Sequence, residues 1–319
     1  MKSIFICVIL SIMVCSFNVN AAVKPKPIAI GILVPVTLPA MTQIVNGMET
    51  TVKAHYPNRL VKFLVKNAQG DINTQRSILQ EFNSSDVNIV APIGTAAAQM
   101  AIAMIRNKPI IGIAADHLKA EAKKANNSNV TGVNSRTSTK ARLQFIQAVM
   151  PNLKKITVVY STDSHVYSQV KQISAIAKQN HIAVQKLMVS QLSDLYGIGK
   201  NIAPNTQAIF ILKDLLVVSG LNTLLQQASV RHIPVIASDD GSVSKGATFA
   251  LGFSEYQTGV DAAKIAIQIL NGKKAGSIPV YMMKHTTVFL NPTASKTQNI
   301  NPNAVKAAAK QSGYPVSIL

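Results

Sequence analysis

The chain has 319 residues, 32 Lys+Arg against 13 Asp+Glu, and a formal charge of +19, so it is long enough for two domains of ordinary size. Its lysines are dispersed singly or in pairs, Trp is absent and aromatics make up 5% of residues, which argues against a nucleic-acid binder and for a cationic solvated surface. Attraction to an anionic membrane face or an acidic partner stays open.

Residues 1–22, MKSIFICVILSIMVCSFNVNAA, read as a secretory signal: Lys2, an apolar stretch from Ile4 to Phe17, and small residues that place cleavage near Ala21. The apolar stretch is shorter than the roughly 20 residues a membrane span needs. Cys15 follows Met13-Val14 rather than a small residue, so it reads as part of the apolar stretch and not as a lipidation site. Both cysteines, Cys7 and Cys15, lie in this segment, which excludes disulfides and thiolate metal sites from the remainder. No later run is apolar enough to span a membrane. A periplasmic protein, at most peripherally attached to the membrane, is expected.

From Pro27, IAIGILVPV reads as a strand stopped by Pro35. Met41–Tyr56 reads as an amphipathic helix whose Ile44, Met48 and Val52 recur every four residues. Leu60–Val65 is a strand, Asn67–Asp71 a turn and Asn73–Phe82 a helix. Val90–Met104, VAPIGTAAAQMAIAM, passes from an apolar strand through Gly94-Thr95 into an alanine-rich helix. That junction aims backbone N–H groups at a carboxylate or other anion beyond a sheet edge, although Thr95 as an ordinary N-cap would explain the same residues. A further strand covers Pro109–Ala115.

Asn126–Asn129 interrupts the pattern, and after Val130–Val133 the same grammar restarts. The elements are a helix at Thr137–Val149, strands at Ile156–Tyr160 and Ala183–Val189 flanking a helix at Ser168–Gln179, a strand at Ala208–Leu212, a helix at Val217–Ala228 and a strand at Pro234–Ala237. Gln257–Leu270 is a helix, Thr286–Asn291 a strand and Pro302–Gln311 a helix, with PTASKTQNIN between the last two as a surface insertion. Strand and helix alternate without hairpin signals, the habit of parallel sheets covered by helices. Two α/β units in tandem are expected, with ligands beyond the carboxyl ends of the strands.

Chemistry beyond binding finds little support. The six histidines are isolated, with no HxH, HxxxH or HExxH spacing, and neither GxSxG nor GxxxxGK[ST] occurs. Asp239-Asp240 is an acid pair, but neighbours on an extended segment point to opposite sides and do not straddle one bond. No catalytic residue, metal or cofactor is expected.

Four motifs in order, Lys66–Asp71, Thr95–Gln99, Asn129–Val133 and Pro234–Gly259, resemble the ABC-transporter substrate-binding proteins, in particular the members that bind tryptophan or phenylalanine. The resemblance implies an α/β, two-lobed type I periplasmic-binding-protein fold with three crossovers, near Val130–Asn134, Ala250–Ser254 and Pro279–Met283. Residues 23–132 and 254–280 would form lobe 1, and residues 133–253 and 281–319 lobe 2. Carried over residue by residue, the backbone N–H groups of Thr95, Ala96 and Ala97 would meet the carboxylate of a small solute, and Asp214 and Asp240 its ammonium group. Asp116 would stand at the inter-lobe edge, and Asp163 joins the candidates from the loop after Tyr160. Lys213-Asp214-Leu215 departs from the family's Thr-Asp-Asn, so Lys213 is expected either to neutralise Asp214 or to bond an anionic solute group. The implied role is a monomeric importer component that delivers an amino acid or similar zwitterion to an inner-membrane ABC permease. A sensor of the same fold and an exported hydrolase are the competing readings.

Overall fold

A computed structural model describes residues 26–319; the expected export signal, residues 1–22, lies outside the described residues. The first strand, β1 (Ile28–Val34), runs into α1 (Pro39–His55), β2 (Val61–Asn67) and α2 (Ile72–Ser84). There follow β3 (Ile89–Pro92), α3 (Thr95–Met104), β4 (Ile110–Ile113), α4 (Leu118–Lys124) and β5 (Val130–Asn134). Pro39 opens α1 where its missing N–H costs nothing, and Ile44, Met48 and Val52 are buried on the face expected from their spacing. Asp71 caps α2 by accepting from the N–H of Thr74 at 2.6 Å, which holds its carboxyl below the usual range.

The second half repeats the pattern: α5 (Thr139–Val149), β6 (Lys155–Ser161), α6 (Ser164–Gln179), β7 (Ala183–Val189), a 3-10 turn at Leu192–Tyr196, α7 (Ile198–Asn201) and β8 (Ala208–Ile211). Next come α8 (Leu215–Ser219), α9 (Leu221–Ser229), β9 (Val235–Ile236), α10 (Asp240–Ser244) and β10 (Phe249–Gly252). The chain closes with α11 (Glu255–Leu270), a 3-10 turn at Ala275–Ser277, β11 (Tyr281–Met282), β12 (Thr287–Leu290), α12 (Pro292–Thr297), α13 (Pro302–Ser312) and β13 (Val316–Ile318).

The first sheet has six strands in the order β11-β5-β4-β3-β1-β2, with parallel neighbours throughout. The second has the order β7-β6-β8-β9, also parallel, and a bridge from Ala237 to Ala250 carries it on to β10. Each half thus reverses direction beside its own first strand, which opens a crevice at the carboxyl ends of the strands. Helix α11 returns to the first sheet and packs along α1. There the backbones touch: a Cβ on Gly47 would lie 2.1 Å from the Tyr256 carbonyl oxygen, and one on Gly259 would lie 2.0 Å from that of Ile44.

Several expectations are corrected. Val133–Asn134 and Tyr281–Met282 extend ladders of the first sheet, two residues past the boundaries anticipated for lobe 1. The helix expected over Val217–Ala228 is broken at Gly220 into α8 and α9. One pair, β10 with β12, is antiparallel. PTASKTQNIN is no surface insertion: its first six residues are α12, and Ser295 is fully buried with its hydroxyl donated to the Thr248 carbonyl at 3.1 Å. Gln298 ties the same segment inward, accepting from the N–H of Val235 at 2.8 Å and donating to the Gly246 carbonyl at 2.8 Å.

Candidate functional site

A cavity of about 530 Å³ lies between the strand ends of the two sheets and is lined from both. From the first half come Leu38, Met41, Ile44 and Ile93 as an apolar face, together with Gly94 to Ala97. The junction singled out in the sequence is therefore in the cleft. Its N-cap is Gly94, whose φ of 91° only glycine adopts without strain, and no side chain caps the helix. The N-cap reading of Thr95 is corrected: its hydroxyl accepts instead from the N–H of Asp116 at 3.1 Å. The first-turn N–H groups of α3 face the cavity without a side-chain cap, an arrangement that favours an anion.

Asp116 lines the cavity, accepting from Asn134 Nδ2 at 2.8 Å, with Arg136 Nη1 at 3.8 Å. The backbone beside it is strained, with φ of 52° at Ala114 and 57° at His117. Asp163 also lines the cleft, and its Oδ1 accepts from the N–H of Val166 at 3.2 Å.

The roles expected of the remaining charged candidates change. Asp214 borders the cavity but is 2% exposed and holds backbone: its Oδ2 accepts from Ser161 N–H at 2.5 Å, its Oδ1 from Leu216 at 3.1 Å and Val217 at 3.3 Å. It caps α8 and pins it to the end of β6. Nor does Asp214 pair with Lys213. That ammonium crosses to Glu255 at the start of α11, joining the strand end of one sheet to a helix packed on the other. Glu255 is 2% exposed; burial pushes its carboxyl up to about 7, Lys213 pulls it down and Asp240 pushes it further up. Asp240 is not among the residues lining the cavity. One of its oxygens accepts from Glu255 N–H at 3.1 Å, the other is buried without a hydrogen-bond partner among the described residues, and burial raises its pKa. Its neighbour Asp239 takes the lining position, capping α10 through Ser242 N–H and Oγ, both at 2.8 Å.

Glu255 and Arg142 are among the lining residues that the motifs do not single out. Glu255 carried a weak signal, an acidic residue in a first helical turn after the N-cap Ser254. Arg142, on the buried face of α5, carried none. It is 5% exposed and donates from Nε to the Leu251 carbonyl at 3.2 Å and from Nη2 to the Ser238 carbonyl at 3.3 Å. Burial lowers its pKa to about 10, against the attraction of Asp239. Among the described residues no group of three or more His, Cys, Asp or Glu could hold a metal, and no helix is long and apolar enough to cross a membrane.

Residues 29–312 match the family model described as ABC transporter substrate binding protein. The chain belongs to that family. Among its relatives, uncharacterized protein RP367 of Rickettsia prowazekii is 38% identical over 88% of this chain and 89% of its own length. The tyrosine-binding protein of Clostridioides difficile is 31% identical over 74% of this chain and 70% of its own. Among solved structures, the Streptococcus pneumonia ABC domain in complex with L-Trp superposes with a TM-score of 0.80 at 22% identity, covering 92% of this chain and 100% of that one. The type I periplasmic-binding-protein fold expected from the motifs is therefore the fold of this substrate-binding protein, in a family of binding proteins rather than enzymes. Both halves bring apolar and charged side chains to the cavity: Leu38, Ile44 and Asp116 from the first, Val166, Leu216 and Lys213 from the second.

Proposed function

We propose that the protein is the extracytoplasmic binding component of an ABC importer, which captures an amino acid or similar small zwitterion between its lobes and hands it to an inner-membrane permease. The observation that carries the reading is the cavity of about 530 Å³ lined from both sheets at their strand ends, a volume suited to one small polar solute. In this reading the N–H groups of Thr95, Ala96 and Ala97 receive the carboxylate, while Asp116, Asp163 and Asp239 supply the negative edge. Lobe closure desolvates both ends of the solute together. The relative named for tyrosine binding supports an amino acid as the solute class. Residues 1–22 would direct export to the periplasm, where the protein works as a monomer that meets the membrane only at its permease.

The test is a thermal-shift screen of the purified chain against amino acids, nucleosides and sugars, because a solute that binds only the folded state must raise its melting temperature. At a solute concentration a hundredfold above Kd the folded state gains about 2.7 kcal/mol. A shift confined to amino acids supports the proposal, and a screen without any shift refutes it.

A further inference from the structure

Arg142 differs from every other charged group at the cleft. The residue is 5% exposed and borders the cavity, yet both of its hydrogen bonds among the described residues go to neutral carbonyls, at Leu251 and Ser238. A guanidinium has five N–H donors, so three are left without a protein acceptor among the described residues. Among the described residues no carboxylate lies within ion-pair distance; Asp239, Glu255 and Asp116 attract it only from farther away, against the repulsion of Arg136. A buried cation in this position is costly unless an anion joins it.

The cleft carboxylates are in the opposite state, each engaged by the protein itself. Asp214 accepts three backbone N–H groups, Asp239 the N–H and hydroxyl of Ser242, and Asp116 the Asn134 amide. Glu255, 2% exposed, already holds the ammonium of Lys213. At Glu255 the protein has thus supplied the cation that a solute amine would otherwise provide, and at Arg142 it has left open donors that a solute anion can fill.

We propose that Arg142 anchors an anionic group of the solute from the second lobe, so that carboxylate-bearing solutes, with or without an amine, are the substrate class. This rests on the solute-binding reading above and narrows it. In a monocarboxylate the anchored group is the carboxylate shared with the open end of α3; in a dicarboxylate it is the second one.

The experiment compares matched probes on the unaltered chain by calorimetry and thermal shift: L-tyrosine and L-leucine, their decarboxylated amines tyramine and isoamylamine, the deaminated acids 3-(4-hydroxyphenyl)propanoate and 4-methylpentanoate, and succinate. Neutral sugars and nucleosides complete the set. Amino acids or acids are expected to bind and the amines to fail. Arg142→Gln should weaken the bound carboxylate on the order of a hundredfold, with part regained in Arg142→Lys. Amines binding as tightly as acids, or a carboxylate solute held equally well by Arg142→Gln, would overturn the proposal. Binding of neutral solutes alone would overturn it while leaving the solute-binding reading in place, and binding of acids without amino acids would do the reverse to the zwitterion reading. Should Arg142→Gln fail to fold, the probe series on the unaltered chain decides.

Discussion

Replacing Lys213 by Met removes a cation from the inter-lobe contact while keeping an unbranched side chain, and it exposes the cost of burying Glu255. That carboxyl is 2% exposed and titrates at about 7, against an ordinary value of 4.5, even with the ammonium beside it. Each factor of ten in proton affinity is worth about 1.4 kcal/mol, so ionising Glu255 in the folded chain already costs about 3 kcal/mol. Between pH 4.5 and about 7 the folded state binds this proton more tightly than the unfolded state does. The contribution of Glu255 to stability is therefore full below that window and lost as pH rises through it. Without Lys213 the folded-state pKa climbs further, and the decline continues past pH 7. Losing one partner of a buried pair typically costs about 3–5 kcal/mol; with the lysine side chain 31% exposed, solvent reduces this to about 2–3 kcal/mol. Urea unfolding of Lys213→Met should show little loss relative to the parent at pH 5, where Glu255 is protonated in both, and a loss of about 2 kcal/mol at pH 8.5, about 1.4 for each pH unit above 7. An equal loss at both pH values would refute the account, because it would trace the effect to packing rather than to charge.

Two further substitutions separate structural from binding roles. Gly47→Ala places a methyl group 2.1 Å from the Tyr256 carbonyl oxygen, so α1 and α11 must part; a loss of about 3 kcal/mol in denaturant unfolding is expected, and a loss below 1 would mean that the helices slide freely. Asp214→Ala strands three backbone donors in the interior and should cost about 2–4 kcal/mol of stability, read by the same measurement. A stable Asp214→Ala protein would return this residue to the list of candidate solute ligands.

The alternation of strand and helix was legible because local physics sets it. Ile44, Met48 and Val52 announce a buried helical face by spacing alone, Asp71 caps its helix within three residues, and the passage from apolar run to Gly94 and alanine-rich helix is complete within Val90–Met104. Where the reading failed, the deciding contacts came from afar. PTASKTQNIN has the composition of a loop, yet Ser295 is drawn into the interior by a carbonyl 47 residues away and Gln298 by an amide 63 residues away. Lys213 has an acid beside it in sequence at Asp214, but that carboxylate is turned back onto its own helix end, and the lysine finds Glu255 42 residues further on.

Sequence alone determined the two α/β halves and the helix end that opens into the cleft, since periodicity, glycine and the family motifs act over a few residues each. Only the tertiary structure decided which charges are satisfied there. Carboxylates separated along the chain compete for the same lysine and the same N–H groups, and the outcome depends on distance and burial, which adjacency in sequence does not encode. Among the described residues, this competition leaves Arg142, rather than any of the aspartates first considered, as the buried cation at the cleft with donors the protein does not fill.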